Sequence, residues 1–502
     1  MRLFSKGAAA LLLATTVLSA CQTVSTAGTA PAVKENARAA FTMSPQQSAF
    51  AEELSQRTFK YFWDTTDPAT CLAPDRWPSK PFASIAAVGF AITAYGVGAE
   101  RGYVTREQAA DRTLACLRFF HDLPQGPEAA GVAGHKGFFY HFLDMEKGLR
   151  HKTTELSTVD TTLFLGGALF AQSYFDRDTA TERQIRDLAE AIYARVDWTW
   201  AQRNNTGTEA KNLKDSHAIT MGWRPERGWE THDWVGYNEG MLVYILAAGS
   251  PTHPIGTDAW EKGWAADLEK DWGTYYGQEH LTFEPMFGHQ YSHVWVDFRG
   301  IQDDFMAKKG IDYFENSRRA TLSQRAYGID NPAKWVGYSG DIWGWTASDG
   351  PKGSKDVHSV NGTPRSFFTY AARGVSPHIV RDDGTVVPTA PGGSVPFAPE
   401  VTIPALMAMK QQYGDRLYTE YGFKDAFNPS FTFTGDPVTT GSVDAKQGWV
   451  ARDYIGIDQG PILAMMENYR SDLIWKTMRK NPHIRNGLER LGFKGGWLDK
   501  GQ

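Results

Sequence analysis

One segment of this chain, residues 84–99, is apolar on nearly every side and limits the possible folds more than any other feature. It runs Ser-Ile-Ala-Ala-Val-Gly-Phe-Ala-Ile-Thr-Ala-Tyr over residues 84–95. A helix that is hydrophobic all round has no face for water, so it must be buried on every side. The segment therefore predicts a central helix that is enclosed by other helices.

From residue 44 onwards the chain alternates such helical segments with loops. Ser44-Pro45 is typical of a helix start, and Thr105 with Gln108 has the spacing of a capping box. About a dozen helices in hairpin pairs predict an all-α toroid, in a single domain over residues 44–502. The further predicted helices cover residues 105–120, 156–175, 181–200, 240–248, 312–327, 365–372, 399–412 and 460–469, with two more near 471 and 482.

Strand patterns are few in this sequence. Residues 137–143 alternate and predict a hairpin with residues 149–155, and residues 380–388 predict a second hairpin around Asp383-Gly384. Long polar loops occupy residues 202–236, 271–300 and 335–362. Loops of this length inside a compact domain are usually functional.

The first 43 residues have the pattern of an export signal and a tether. A basic start and a short apolar run over residues 1–20 precede Leu18-Ser-Ala-Cys21, which is similar to a lipoprotein cleavage site. Residues 21–43 then predict a lipidated Cys21 on a flexible, small and polar tether. We expect an exported, lipid-anchored protein, in the outer membrane and facing the periplasm, whose contact with the membrane is through this anchor.

Composition excludes several classes of function. The net charge is −5 and Lys/Arg runs are absent, which argues against nucleic-acid binding. The 17 Trp, 20 Tyr and 28 Phe often stand in polar, Gly-rich stretches, as in a groove that binds a neutral carbohydrate, although an aromatic core is the alternative. Phosphate-loop, dinucleotide and serine-elbow motifs are missing, so no cofactor is predicted.

Histidine and cysteine patterns leave two further questions. His289 and His293 are four residues apart, but the stretch is interrupted and lacks a third ligand, so a polar groove wall is predicted and a metal is not. Cys71 and Cys116 could be bridged in an exported protein, and the sequence leaves this open.

Two carboxylates are the candidates for catalysis. Glu239 precedes the apolar run Met-Leu-Val-Tyr-Ile-Leu, so partial burial should raise its pKa, as a general acid requires. Asp458 lies just before Gly460-Pro461, where backbone N–H groups should lower its pKa, as a general base requires. A structural role at a helix end remains the alternative for each.

Further residues have the types that bind sugar hydroxyls and pyranose faces. Asp160 and Glu155 precede a predicted helix, with helix capping as the alternative for Asp160. Aromatic rings stack on sugar rings, and acids accept their hydroxyl hydrogens. The remaining predicted substrate contacts are His232, Tyr237, His289, Trp343, Trp345, Asp349 and Tyr454.

The chain resembles one bacterial family. The resemblance lies in Arg-Thr-Phe-Lys-Tyr-Phe-Trp at residues 57–63, Pro-Asp-Arg at 74–76, Ser-Thr-Val-Asp-Thr at 157–161, and in residues 221–239, 287–299, 345–351, 397–400 and 453–475. These motifs are similar to those of the glycoamylase-like family that contains the bacterial β-1,2-glucanases, and they cover roughly residues 45–495.

The resemblance implies an (α/α)6 barrel and inverting hydrolysis of linear β-1,2-glucan to sophorose or short sophorooligosaccharides. By motif position it implies that Glu239 is the general acid and Asp458 the general base, and that Asp160, Trp343 and Trp345 contact substrate. Trp345 departs from the family pattern, in which we expect a smaller residue, so the exact specificity stays open.

Other functions stay open at this point. The chain could be an exo-acting, glucoamylase-like enzyme on other gluco-oligosaccharides, a non-catalytic glycan-binding lipoprotein, or a structural lipoprotein. Endo versus exo action and the oligomeric state are not determined by the sequence.

Overall fold

The computed structural model describes residues 41–205, 216–353 and 357–499. The predicted signal peptide, Cys21 and most of the tether lie outside these residues. Met43–Gln502 forms one compact unit. Among the described residues, no helix has both the length and the apolar character needed to cross a bilayer.

Within the described ranges, helices account for most of the regular structure. They are α1 Pro45–Thr65, α2 Ile85–Glu100, α3 Arg106–Asp122, α4 Thr158–Tyr174, α5 Ala180–Ala194, α6 Met241–Gly249, α7 Ala259–Lys262, α8 Leu268–Asp271, α9 Tyr291–Trp295, α10 Asp304–Lys309, α11 Tyr313–Asp330, α12 Thr389–Gly392, α13 Pro399–Tyr413, α14 Gly456–Ser471, α15 Leu473–Met478, α16 Pro482–Arg490 and α17 Gly496–Asp499.

The strands are short and form two- or three-stranded pieces. They are β1 Arg76–Trp77, β2 Ala83–Ser84, β3 Gly134–His135, β4 Phe138–Phe139, β5 Phe142–Leu143, β6 Leu156–Ser157, β7 Gly222–Arg224, β8 Gly228–Trp229, β9 Trp272–Tyr275, β10 Gln278–Leu281, β11 Ala347–Ser348, β12 Val357–Val360, β13 Thr363–Ser366, β14 Ala371–Ala372, β15 Gly374–Val375, β16 Val380–Arg381, β17 Tyr418–Thr419, β18 Gly422–Phe423, β19 Phe427–Asn428, β20 Ser442–Asp444, β21 Gly448–Val450 and β22 Tyr454–Ile455.

The helices form an (α/α)6 barrel, so the predicted fold class is confirmed. The inner ring is α2, α4, α6, α9, α12 and α14, and the outer layer contains α1, α3, α5, α11, α13 and α16. All nine residues of α6 are buried, whereas α5 buries one stripe only. Burial on every side of the inner helices is what their apolar sequences require.

Glycine allows the two inner helices α2 and α4 to pack at very short range. A Cβ atom at Gly89 would lie 2.2 Å from the backbone oxygen of Leu163, and one at Gly167 would lie 2.1 Å from the backbone oxygen of Gly89. Any larger residue would push the two helices apart, which would disturb the ring where the site is built.

The N-termini of the inner helices meet at one end of the barrel, as a chain of contacts shows. The N–H of Ile85 at the start of α2 donates to the oxygen of His141, whose own N–H donates to the oxygen of Glu155, just before α4. On the other side of α2, the first N–H of α14, at Gly456, donates to the oxygen of Asp75.

Similar contacts link the remaining inner helices. The indole N–H of Trp234, before α6, donates to Thr158 of α4 at 2.9 Å, and the N–H of Leu242 in α6 donates to Ser292 of α9 at 3.1 Å. Gln290 reaches the oxygen of Ala390 in α12 at 2.8 Å. Thr389 of α12 donates to the backbone oxygen of Asp458 in α14 at 2.6 Å, which closes the ring.

Two local predictions were wrong. Residues 365–372 are not a helix, because β12 and β13 form a hairpin around Asn361-Gly362, a two-residue turn with both φ angles positive. Residues 380–388 do not fold on themselves, because β16 pairs with β15, and Asp383 instead accepts two hydrogen bonds from the buried Arg373.

The hairpin predicted between residues 137–143 and 149–155 is formed only in part. The two segments meet at an isolated bridge between Leu143 and Arg150, and a second bridge joins Tyr140 to Leu156. The strand β5 itself pairs with β2, which precedes the inner helix α2. The segment therefore joins two inner helices and does not form a separate hairpin.

Cys71 and Cys116 form a disulfide between the segment after α1 and the outer helix α3, over a sequence separation of 45 residues. Closing a loop of this length removes conformational entropy from the unfolded chain, which by the loop-entropy relation stabilises the fold by about 4 kcal/mol. We expect the Cys71→Ala/Cys116→Ala variant to lose about 2–4 kcal/mol in its free energy of unfolding, measured by urea titration. Reduced wild-type protein should match the variant. Equal stability of the oxidised and reduced proteins would contradict the expectation.

Candidate active site

A groove of about 420 Å³ opens beside the N-termini of α4 and α6. Three predicted contacts, Glu155, Asp160 and His232, line it together. His141, Arg224 and Glu230, which were not predicted, also line the groove, so its walls are mostly charged.

A hydrogen-bonded turn positions Glu239 at the mouth of α6. The side chain of Asn238 accepts hydrogen bonds from the N–H of Gly240 at 2.9 Å and from the indole of Trp264 at 3.1 Å. A Cβ atom at Gly240 would lie 2.9 Å from the Trp234 side chain, so the close turn requires glycine here. The backbone oxygen of Glu239 accepts from Ser292 of α9 at 3.3 Å, which ties the turn to the next inner helix.

Glu239 keeps part of its surface exposed, while its carboxyl group lies in buried surroundings. Burial raises its pKa to about 7, and the negative charge of Asp160 adds to this rise. A carboxyl group with this pKa still holds its proton over much of the neutral range. The structure therefore agrees with the predicted rise in the pKa of Glu239. A carboxyl group with a raised pKa can act as a general acid.

Asp458 is the third residue of α14, and the residue at the N-cap position is Ile455. The helix starts at Gly456 and contains Pro461, so the prediction that Pro461 marks the helix start was wrong. The residues before Pro461 pair through β22 with β1 and pass straight into the helix. Asp458 is 4% exposed and lies in the first turn of α14.

The expectation of a lowered pKa for Asp458 was also wrong. Burial raises the pKa of Asp458 to about 7, and the negative charges of Asp75 and Asp349 oppose its ionisation, while a hydrogen bond with Asp425 and the charge of Arg76 favour it. The local sequence does not reveal the two causes of the rise, which are the burial of Asp458 and the charges of Asp75 and Asp349 from distant segments.

Tyr291, the first residue of α9, links the two candidate catalytic residues. Burial raises its pKa well above the usual range, and the charges of Asp458, Glu239 and Asp160 each raise it further. Since one phenol experiences all three carboxylates, the fold brings Glu239 and Asp458 to the same site, although 219 residues separate them in the chain.

A charge network fixes the groove wall beside Glu239. His141 lies 2.8 Å from Glu155 and 3.5 Å from Asp160. Burial alone would lower the pKa of His141, but the charges of Asp160 and Glu155 and a hydrogen bond to Glu155 outweigh it and raise this pKa to about 9. Arg224 holds the other oxygen of Glu155 at 2.8 Å.

Asp160 is not the cap of α4, since Ser157 is. Its carboxyl accepts a hydrogen bond from the Ser157 hydroxyl and faces His141. Helix capping, the alternative role for Asp160, is therefore not its role here. Asp160 instead lines the groove.

Two predicted contacts near Glu239 lie in the core. His289 is 1% exposed, and its Nδ1 is 3.0 Å from the Tyr237 hydroxyl, which belongs to an equally buried ring. Burial lowers the pKa of His289 well below its usual value. Neither side chain is among those that line the groove, and their contact with substrate stays a prediction. They instead pack behind the turn that carries Glu239.

Three predicted aromatic contacts are also buried. Trp343 and Trp345 are 0% exposed and pack with Tyr327, and the Trp345 indole donates to the Tyr338 hydroxyl at 3.1 Å. Tyr454 is buried, and its hydroxyl meets the side chain of Thr419. These rings pack inside the protein, and their contact with substrate stays a prediction.

Asp349 joins the Asp458 cluster through Arg76. The Arg76 guanidinium donates to Asp349 at 2.9 Å and to Asp75 at 3.1 Å, and the charges of both acids act on Asp458. Asp349 is 4% exposed, so it contributes charge and support to the cluster, with little surface for a hydroxyl group of substrate.

Sequence reasoning missed Tyr370, Asp425 and the roles of Asp75 and Arg76. Tyr370 exposes 54% of its surface, but burial of its hydroxyl end raises its pKa, and the charges of Asp458, Asp75 and Asp425 raise it further, so the hydroxyl faces the cluster. The wrong helix prediction for residues 365–372 hid this aromatic residue. The motif Pro-Asp-Arg at residues 74–76 was part of the family resemblance, but the sequence did not indicate what Asp75 and Arg76 do. Among the described residues, no group of three or more His, Cys, Asp or Glu could hold a metal ion.

A protein-family comparison identifies the chain. The model of the Glycoamylase family, described as "Putative glucoamylase", matches residues 231–482, about half of the chain. The chain belongs to the glycoamylase family. A crystal structure of a family protein from Bacteroides uniformis ATCC 8492, named in the same words, is 33% identical, with a TM-score of 0.74, and covers 91% of this chain and 100% of its own.

Two further relatives of this glycoamylase-family chain have functional names. An endo-beta-1,2-glucanase from Chitinophaga pinensis, solved with sophorotriose and glucose, is 28% identical with a TM-score of 0.73, over 91% of this chain and 100% of its own. A Parabacteroides distasonis protein named exo beta-1,2-glucooligosaccharide sophorohydrolase (non-reducing end) is 28% identical over 463 residues. That match covers 87% of this chain and 57% of the relative, so this chain spans little more than half of the relative's length.

Proposed function

We propose that this protein is a glycoside hydrolase that cleaves β-1,2-linked glucan with inversion and releases sophorose or short sophorooligosaccharides. The observation that carries the proposal is the pair of protonatable carboxyl groups, Glu239 and Asp458, whose charges both act on Tyr291 at the N-terminal end of the inner ring. Relatives named for β-1,2-glucan and sophorosyl substrates support the choice of linkage.

In this mechanism Glu239 donates its proton towards the glycosidic oxygen, directly or through a substrate hydroxyl, and the bond to the anomeric carbon breaks. Asp458 accepts a proton from the water that attacks the opposite face of the sugar. The water oxygen becomes the new anomeric hydroxyl, so a β-linkage gives an α-product. The carboxylate at Asp160 and the imidazolium at His141 flank the groove, where they can accept from and donate to substrate hydroxyls.

The test is incubation of the pure protein with linear β-1,2-glucan and, in parallel, with β-1,3-, β-1,4- and α-1,4-glucans. We expect products from the β-1,2-glucan alone, with the α-anomer as the first product in a proton NMR time course. A first product in the β-configuration would exclude inversion, and turnover of α-1,4-glucan alone would replace the substrate assignment.

Exo action is the second candidate because one relative is named for cleavage at the non-reducing end and another for endo cleavage. The product pattern separates the two. Endo cleavage shortens long chains early, whereas exo action releases one short product from the start. A ligand-binding protein without turnover would show affinity for the glucan and no products.

The pKa values of the pair predict a bell-shaped pH profile of kcat/KM with a maximum near pH 7. The acid form of Glu239 is lost as the pH rises through about 7, and the basic form of Asp458 is lost as the pH falls through about 7. Because the two pKa values lie close together, the profile should be narrow and fall about tenfold per pH unit on each side. Rates at constant ionic strength between pH 4 and 10 provide the measurement, and a plateau from pH 5 to 9 would contradict the assignment.

We further propose that the protein is exported and anchored to the outer membrane through Cys21, facing the periplasm. The motif Leu18-Ser-Ala-Cys21 supports this. Cys21→Ser should move the protein from the membrane fraction of its host to the soluble periplasmic fraction. An unchanged distribution would contradict the anchor.

A further inference from the structure

Asp425 is a buried carboxyl group for which the mechanism above has no role. It lies between β18 and β19 and is 2% exposed. Its Oδ2 accepts a hydrogen bond from the N–H of Asp349 at 2.7 Å. Its Oδ1 is also shielded from water, yet no N–H or O–H donor among the described residues reaches it.

The neighbour that acts on Asp425 is the carboxyl group of Asp458, whose charge raises the pKa of Asp425, while a hydrogen bond with Asp425 lowers the pKa of Asp458. Two carboxylates at this range repel each other strongly, so one of them must carry a proton. A proton shared by the pair also gives Asp425 Oδ1 the partner that it otherwise lacks, which removes the cost of an unsatisfied buried polar atom.

The surrounding charges indicate which carboxyl group keeps the proton. Arg76 is bonded to Asp75 and Asp349, so its charge is already shared by two acids. Asp425 has no such cation bonded to it among the described residues, and its burial, with the charges of Asp349 and Asp458, raises its pKa well above the usual value. The groups that face the pair are Tyr61, Asp75, Arg76, Tyr291, Asp349, Tyr370 and Arg373. The guanidinium of Arg373 acts on Asp425 through its charge, but its hydrogen bonds go to Asp383.

We propose that Asp425 is a positioning residue, which stays protonated and donates an O–H···O hydrogen bond to Asp458. This proposal rests on the proposed function, because it gives Asp458 the role of base. The hydrogen bond holds one oxygen of Asp458 and stabilises its ionised form, so the second oxygen can accept the proton of the attacking water. The proton on Asp425 is not consumed in turnover.

The pH profile tests this with a definite sign. An ionised Asp425 would repel the charge of Asp458, so its removal would move the acid limb of kcat/KM to lower pH. A protonated donor has the opposite effect: Asp425→Ala removes a hydrogen bond to the carboxylate and should move the acid limb up by about one pH unit and lower kcat about 100-fold. KM should change less than threefold.

Asp425→Asn keeps the volume, can still accept from the N–H of Asp349, and presents an amide N–H to Asp458. We expect its acid limb within half a unit of that of wild type and its kcat within about tenfold of wild type, so the conservative variant restores most of what alanine loses. A downward shift in either variant, or an Asp425→Asn enzyme as inactive as Asp458→Asn, would overturn the proposal. If Asp425→Ala does not fold, the asparagine variant decides the question alone.

Infrared difference spectra add a readout that needs no turnover. At pH 8 and without substrate, wild type minus Asp425→Asn should show the carbonyl band of a protonated carboxyl group, and its absence would overturn the proposal. Asp303→Asn is the matched control, because Asp303 is 3% exposed and accepts from Trp260 and Tyr313, away from the groove. It should lower stability without moving the acid limb. Wild-type protein that does not cleave β-1,2-glucan would refute the proposed function. The infrared band would still show whether Asp425 is protonated beside Asp458, so the two proposals can fail separately.

Discussion

Glu239→Gln should lower kcat on linear β-1,2-glucan by about 10²–10⁴-fold, because glutamine has the same shape but no proton to donate. Substrate binding should persist, so KM should change little. The measurement is the initial rate of reducing-end release at pH 7, with the melting temperature as a check on folding. Since burial raises the pKa of Glu239, its replacement also removes a buried ionisable group, and the variant should be at least as stable as wild type above pH 7.

The leaving group makes this test specific for a general acid. A β-sophoroside with an acidic phenol as leaving group needs little protonation, so Glu239→Gln should lose far less activity on it than on the glucan. Glu261→Gln, at an exposed glutamate of α7, is the matched control and should behave as wild type. Equal losses on both substrates would contradict the acid role.

Asp458→Asn should lower kcat by a similar 10²–10⁴-fold, because the amide cannot accept a proton from water. In contrast to Glu239→Gln, the loss should be as large for the aryl sophoroside as for the glucan, since both need the same activated water. Rates on the two substrates under one set of conditions provide the comparison.

The smaller Asp458→Ala variant gives the stereochemical test of the base. Azide needs no base and is small enough for the space of the deleted carboxyl group, so it should restore turnover and yield an α-glycosyl azide. A β-glycosyl azide, or full activity of Asp458→Asn, would contradict the assignment. Rescue should be absent in Glu239→Gln with the glucan, where the missing step is protonation.

Much of the fold was predictable because inner helices must be apolar on all sides. The helix over residues 84–99 is observed as α2, Ile85–Glu100, and the run after Glu239 is observed as α6. These patterns depend on burial, which the sequence records directly. The failures at residues 365–372 and 380–388 arose where a tertiary partner, such as Arg373 for Asp383, determines the local structure.

The site was predictable to a smaller extent. Glu239 and Asp160 adjoin apolar helices, so their sequence neighbours predict their burial. The pKa of Asp458 depends on Asp75, Asp349 and Asp425, which come from distant segments, so its local sequence led to the wrong direction. The burial of Trp343 and Trp345 was not predicted, because a tryptophan in a polar loop can face inward and exposure is decided only by packing.

The closed ring of inner helices has a consequence for how this architecture can diversify. Asp458 stands in the first turn of the inner helix α14, and Glu239 lies just before the inner helix α6. Each of these helix starts is bonded to its neighbours around the ring. Segments that lie between the inner helices in the chain, such as the β12–β13 hairpin, are not part of that ring. Such segments can therefore lengthen or shorten while Glu239 and Asp458 keep their geometry. Changes in these segments would decide whether a polymer lies across the groove or stops at its end, while the positions of the two candidate catalytic residues stay the same.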